Sequence, residues 1–396
     1  MDLLRQNGME GSGEKPEYAL IRKAAEQGDA NAQTILGTMY AEGLDLPQDD
    51  EQAVSWYRKA ADQGLPVAQF NLGNMYNSGK GVPRDCQQAV AWYQRAADQG
   101  HASAQYNLGF MLYKGRGAVQ DYRQAAAWYE KAANQGHAKA QSNLGNMYAK
   151  GEGVPLDDEQ AANWNRKSAV QGNASAQFNL GCMYSNGKGV PKDYQQAVLW
   201  YGKAAEQGVV EAQHNLAVMH EGGQGTPQDS TQAAFWYRKA AEQGYAAAQS
   251  NLGNLYLRGD GVQQDHALAA AWYSKAADQG NASAQFNLGL AYLNGEGVPL
   301  DKEQAAIWFR KAADQGVAEA QYNLGVMYGK GIGVPQDVVI ACAWHCLASA
   351  QGDRDAIAER DYAVSKLTSE QLTQALTLAA ELQGKSVCLQ PLLRAC

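Results

Sequence analysis

Apolar residues recur along this chain in two alternating helical registers, separated by short polar turns rich in glycine. Between Leu65 and Gly100 the first register is Ala68, Leu72, Met75 and Tyr76, spaced i, i+4, i+7 and i+8 as on one face of an α-helix. It predicts a helix of about thirteen residues, Val67 to Ser78. Gly79 suits the left-handed C-cap position, and Pro83 forbids continuation through Gly79-Lys80-Gly81-Val82-Pro83. The second register, Ala89, Val90, Trp92, Tyr93, Ala96 and Ala97, predicts a second helix that begins at Asp85 and ends at Gln99-Gly100. The pattern leaves no room for strands, so the fold class is all-α.

The same pair of registers returns every thirty-six residues. Gly28, Gly64, Gly100, Gly136, Gly172, Gly208, Gly244, Gly280, Gly316 and Gly352 each follow a Gln, with no insertion or deletion between them. Nine units therefore fill 29–352, and a fixed period of this size marks a solenoid in which each unit touches only its neighbours. Asp49, Asp85, Asp121, Asp157, Asp193, Asp229, Asp265, Asp301 and Asp337 stand at the start of every second helix. Seven are followed three residues later by Gln, which predicts an N-cap with a capping-box partner.

Two further positions explain why the units stack. Every unit has one tryptophan (Trp56, Trp92, Trp128, Trp164, Trp200, Trp236, Trp272, Trp308 and Trp344), each expected to be largely buried. Gly37, Gly73, Gly109, Gly145, Gly181, Gly253, Gly289 and Gly325 sit mid-way along the first helices, with Ala217 the exception. Glycine there costs roughly 0.5–1 kcal/mol relative to alanine, so its repetition implies a backbone closely approached by another helix.

The ends differ. Residues 1–16 are polar and glycine-rich and read as a loose tail, and 17–28 match the second half of a unit and read as a half-repeat cap. After Gly352 the pattern stops. Residues 353–384 read as capping helices, the last opened by Thr368-Ser369-Glu370-Gln371, and 385–396 as a frayed tail.

Composition narrows the function classes. With 33 basic and 41 acidic residues the net charge is −8, which argues against a phosphate-backbone partner and so against nucleic acid. No apolar run approaches the roughly 18 residues of a membrane span, so no membrane partner is expected. Met1-Asp2-Leu3-Leu4-Arg5-Gln6 lacks a basic n-region and an apolar core, so a cytoplasmic location is expected, or an exported one if the chain is a processed form. Cys86, Cys182, Cys342, Cys346, Cys388 and Cys396 fall at different places in the repeat and read as free thiols.

The unit AxAQxNLGxMYxxGxGVPxDxxQAxxWYxKAAxQG resembles the Sel-1-like repeat, a thirty-six-residue variant of the tetratricopeptide repeat. The resemblance implies a right-handed superhelix of antiparallel helix pairs, found in bacterial proteins that act as adaptors or scaffolds. Some relatives are cysteine-rich, with a disulfide bridging the two helices of a unit; here only the last unit holds two cysteines. Relatives have also been associated with weak handling of β-lactams, but no Ser-x-x-Lys motif stands here.

In a solenoid of this kind the first helices line the concave surface, a groove on the order of 80–90 Å along its path. One constant polar ladder runs along them: Asn71, Asn107, Asn143, Asn179, Asn215, Asn251, Asn287 and Asn323. Beside it lie two variable stripes. The first contains Phe70, Tyr106, Phe178, His214, Phe286 and Tyr322, and the second Asn74, Asn146 and Asn254 among residues of other types. An amide both donates and accepts, so the ladder is suited to hydrogen-bond the backbone of an extended peptide while the aromatic positions choose its sequence. The resemblance supports the placement, because tetratricopeptide clamps use an Asn at the matching position. The Lys that helps such clamps hold a carboxylate is missing beside these Asn residues, so a C-terminal carboxylate is not the obvious ligand. The alternative is structural, each Asn tying its own helix to the next.

Weaker signals are better explained by the fold. The GxGVPxD loop has neither the lysine of a P-loop nor the carboxylate density of an EF-hand, and it reads as a turn. Glu211, His214 and Glu221, and likewise Cys342, His345 and Cys346, have near-ligand spacing but occupy ordinary surface and packing positions. No nucleophile–base pair stands out. No catalytic residue, metal or cofactor is therefore assigned. The expected function is a non-catalytic scaffold binding another protein or peptide, of undetermined oligomeric state; the alternative is a hydrolase directed at cell-wall or β-lactam material.

Overall fold

The computed structural model describes residues 16–382, and among them there are 21 α-helices and no strand. The tails expected at 1–15 and 383–396, with the thiols expected at Cys388 and Cys396, lie outside the described residues. The helices divide into two compact units, separated between Asp193 and Tyr194.

In the first unit α1 (Pro16–Glu26) precedes four complete pairs and one further first helix. The pairs are α2 (Ala30–Glu42) with α3 (Asp50–Asp62), α4 (Pro66–Ser78) with α5 (Cys86–Asp98), α6 (Ala102–Lys114) with α7 (Tyr122–Asn134), and α8 (Ala138–Lys150) with α9 (Asp158–Val170). They are followed by α10 (Ala174–Asn186). The second unit opens on α11 (Tyr194–Glu206) and continues with α12 (Val210–Gly222) and α13 (Ser230–Glu242), α14 (Ala246–Arg258) and α15 (His266–Asp278), α16 (Ala282–Asn294) and α17 (Lys302–Asp314), and α18 (Ala318–Lys330) and α19 (Val338–Ala350). Two further helices, α20 (Arg354–Lys366) and α21 (Ser369–Leu382), pack on α19, and residues 341–349 are all buried beneath them. Within each unit consecutive helices, up to α20, pack against each other in repeats of about 36 residues: an α-solenoid.

Local chemistry sets each boundary. The first helix ends where Gly79 takes a left-handed φ of 75° and its N–H meets the Met75 carbonyl at 2.8 Å. Two residues on, Gly81 crosses the first turn of the preceding second helix so closely that a Cβ would stand 2.1 Å from the Asp50 carbonyl oxygen. Asp85 caps α5 by accepting from Gln87 N at 2.9 Å and Gln88 N at 3.0 Å. The reciprocal arm of the expected capping box does not form there, because the Asp85 N–H is already donated to the Tyr76 carbonyl at 3.0 Å. Gln124 instead donates its side chain to the cap itself, Asp121 Oδ2, at 2.9 Å. Both arms close at α21, between Thr368 and Gln371.

Most of the mid-helix glycines are contacted by a ring rather than by a helix backbone alone; Gly145 meets the Asn165 side chain instead. A Cβ on Gly73 would stand 2.7 Å from the Tyr93 ring and 3.4 Å from the Ala89 carbonyl oxygen. The glycine thus makes a seat for the residue that follows the tryptophan, a tyrosine in six of the nine repeats. Burying such a ring stabilises by about 2–3 kcal/mol, which more than offsets the glycine's helix penalty. The tryptophans are less uniformly buried than the sequence suggested. Trp92, Trp164, Trp200, Trp308 and Trp344 are buried, but Trp56, Trp128, Trp236 and Trp272 are only half-buried. A basic residue one turn on lies over most of these rings, as Lys131 Nζ does 3.8 Å from the Trp128 centroid.

One polar ladder in the core was not anticipated. The glutamine of each AxAQ motif is buried, and Gln69 Nε2 donates to the Ala61 carbonyl at 3.2 Å across the turn behind it. Its Oε1 accepts from Gln99 Nε2, the glutamine of the next Gln-Gly pair, at 2.9 Å. The pattern repeats at Gln33, Gln105 and Gln141 in the first unit and at Gln213, Gln249, Gln285 and Gln321 in the second.

Candidate functional site

The first helices carry all the predicted site residues in one register. In the first unit Phe70, Asn71 and Asn74 lie on α4, Tyr106 and Asn107 on α6, Asn143 and Asn146 on α8, and Phe178 and Asn179 on α10; all are half-buried. In the second, His214 and Asn215 lie on α12, Asn251 and Asn254 on α14, Phe286 and Asn287 on α16, and Tyr322 and Asn323 on α18; these too are half-buried.

Part of the amide ladder links neighbouring helices. Asn107 Nδ2 donates to Asn74 Oδ1 at 3.2 Å, Asn179 to Asn146 at 2.8 Å, and Asn287 to Asn254 at 3.1 Å. In two of these pairs the accepting carbonyl also receives a tyrosine hydroxyl from its own repeat, Tyr93 on Asn74 and Tyr273 on Asn254, each at 2.7 Å. The variable stripe thus has a structural term that the sequence reading missed. An Asn or Thr there satisfies the buried phenol, as Thr38 does for Tyr57 at 3.0 Å. Burial pushes the Tyr93 and Tyr273 hydroxyls up to about 12, keeping them protonated as donors.

The aromatic members sit at the seam between repeats. Phe70 packs 4.8 Å from His101 and Tyr106 packs 4.7 Å from His137, measured between ring centroids. His214 lies 5.1 Å from Tyr245, whereas the Phe286 contact, 5.7 Å to Phe309, is within its own repeat. His101 and His137 have a second task that the sequence did not suggest. Their Nδ1 atoms cap α6 and α8, accepting from Ala104 N and Ala140 N at 3.2 Å. Burial lowers both imidazoles, favouring the neutral form that can accept.

The metal-like spacings resolve into packing. Glu221 accepts from the Tyr237 hydroxyl at 2.7 Å and from Arg258 at 3.1 Å, while the His214 ring packs against Tyr237 and Tyr245. Cys342, His345 and Cys346 are buried on α19, with the His345 ring seated on Gly325 where other repeats place tyrosine. Among the described residues no group of three His, Cys, Asp or Glu side chains is arranged to hold a metal. Among them, too, no helix is long and apolar enough to cross a membrane.

Nine consecutive segments, from 30–65 to 318–353, match the family model described as the Sel1 repeat. The chain belongs to the Sel1 repeat family. The matched frame starts one residue later than the Gln-Gly frame, at the first residue of each first helix. Among solved structures, the chain is similar to a protective antigen of uropathogenic Escherichia coli with an SLR fold, at 39% identity and a TM-score of 0.68. That match covers 94% of this chain and 89% of the antigen. It is also similar to a Sel1 repeat protein from Oxalobacter formigenes, at 38% identity and a TM-score of 0.58, over 79% of this chain and 90% of that one. No curated protein matches the chain in sequence. Sel1 repeat proteins are generally protein-interaction scaffolds, typically non-catalytic.

Proposed function

We propose that this Sel1 repeat chain is a non-catalytic scaffold that binds an extended segment of another protein along the first-helix faces. The observation that carries the proposal is the register of half-buried amides, constant at Asn71 through Asn323, beside positions that change chemistry from repeat to repeat. A constant amide suits the constant peptide backbone, and a variable neighbour suits variable side chains. Packing explains only part of the pattern, since Asn107, Asn179 and Asn287 use one amide group to bridge helices and retain partial exposure.

The test is binding of capped, randomised decapeptides to the full chain and to a variant with alanine at Asn71, Asn143 and Asn323. Loss of bound peptide with helicity and melting temperature retained supports a recognition role. A variant that binds peptide as the parent does, or one that melts early, places the ladder in the stack instead.

A further inference from the structure

The third repeat breaks the rule by which the buried tyrosine hydroxyls are satisfied. Where other repeats place Thr38, Asn74 or Asn254 to accept the phenol, this one has Phe110. The Tyr129 hydroxyl has no hydrogen-bond partner, although the residue is only 1% exposed. The Asn143 amide approaches and offsets a little of the rise that burial imposes on the phenol, but closes no bond. A buried donor without an acceptor is a cost with no local structural return.

Tyr129 lines a cavity of about 260 Å³ between α6, α7 and α8, walled on one side by Phe110. The other polar groups lining it are donors or can act as donors. The Asn146 carbonyl oxygen is already taken by Asn179 at 2.8 Å, which leaves its amide hydrogens to offer. Lys114 and Lys150 also line the cavity, at the last positions of α6 and α8. Consecutive repeats carry a cation at that position only here. A lysine at a helix C-terminus complements the helix dipole wherever it stands. That does not account for two in succession beside an unpaired phenol. No carboxylate lines the cavity, and Glu152 nearby is held by the Tyr113 hydroxyl at 2.6 Å.

We propose that this cavity binds the side-chain carboxylate of an aspartate or glutamate in the protein segment taken up by the first-helix face. This deepens the peptide-binding proposal above and rests on it. The carboxylate accepts from the Asn146 amide and, after a small side-chain shift that uncovers it, from the Tyr129 hydroxyl, while Lys114 and Lys150 neutralise its charge. Hydrogen bonds to an ionised acceptor in a half-enclosed cavity are stronger than at an open surface. In a chain of net charge −8, such a local cationic pair also gives an acidic segment one preferred place to engage.

The experiment uses acetyl- and amide-capped randomised decapeptides with one fixed central residue: glutamate, glutamine, lysine or leucine. We expect the glutamate set to bind the full chain about tenfold or more tightly than the glutamine set. That preference should vanish in Tyr129→Phe and in the double variant Lys114→Gln, Lys150→Gln, while Tyr129→Phe melts no earlier than the parent. Equal binding of all four sets overturns the carboxylate assignment and leaves the peptide-binding face standing. Failure of every set to bind overturns both. A leucine set with a free C-terminus that matches the glutamate set overturns the side-chain assignment in favour of a terminal carboxylate. An early-melting Tyr129→Phe overturns the premise that the hydroxyl is unpaired.

Discussion

Replacing Gln105 probes the buried glutamine ladder directly. In the folded chain its Nε2 donates to the Ala97 carbonyl at 3.1 Å and its Oε1 accepts from Gln135 Nε2 at 2.8 Å. The partners are not stranded by its loss. Ala97 O still accepts from Gly100 N at 3.0 Å, and Gln135 is exposed, so its amide can turn to water. The cost of Gln105→Leu is therefore close to that of the two bonds, about 1–3 kcal/mol in total, partly recovered by the added apolar burial. Gln105→Ala adds an unfilled space at a site only 4% exposed, bringing the expected loss to about 2–4 kcal/mol. Gln135→Ala removes the donor to the buried Gln105 Oε1 and should cost about 1–3 kcal/mol. Urea unfolding followed by circular dichroism gives the order of the three. Because repeat arrays need not unfold in one step, amide hydrogen exchange across 97–105 supplies the local measurement. If Gln105→Ala shifts neither the midpoint nor the exchange of those amides, the ladder is not an energetic link between repeats.

Other outcomes follow from the same geometry. Gly145→Leu should loosen the fourth repeat by at least about 3 kcal/mol, because even a Cβ would stand 2.6 Å from Asn165 Nδ2 and 3.1 Å from the Ala161 carbonyl oxygen; new protease cleavage in α8 or α9 is the readout. Tyr93→Phe should lower stability by about 1 kcal/mol through loss of the bond to Asn74, whereas Tyr129→Phe should cost nothing, and thermal melting compares the two. His101 and His137 are held below the ordinary imidazole value by burial, so the unfolded chain binds more protons than the folded one once the pH falls below about 6.5. Their contribution is full above that value and is lost as the pH falls through the lowered folded values. The double variant His101→Asn, His137→Asn, which keeps a cap of the kind seen at Asn173, should flatten that part of the melting-temperature profile.

The helices were legible because each is marked twice, by apolar spacing and by its stop and start residues. Gly79, Pro83 and Asp85 delimit one turn without help from tertiary structure. The repeated Asp residues gave the caps, but not that the Asp N–H is taken by the first helix, since that bond depends on how the turn folds back. The buried glutamines were printed in every unit and still went unread, because Gln is ordinarily a surface residue and its two partners lie in other elements. Likewise the Asn at position 74 looked like a choice of ligand chemistry, whereas its match to Tyr93 appears only when α4 and α5 are side by side. The candidate face was legible as a register. Which of its members also hold the repeats together was not.

The glutamine ladder also governs how the chain can change in length. Each link joins a residue to the one thirty residues later, and the same bond recurs from repeat to repeat within a unit. Adding or removing one residue within a helix between the two ends of a link would turn one glutamine away from the other and break it. Removing a whole period, such as 102–137, brings Gln141 behind Ala97 just as Gln105 was, and every joint can close again. The helical part of the sequence thus grows or shrinks in whole units, with the turns free to take small insertions, and its gene is expected to vary in length by recombination between repeats.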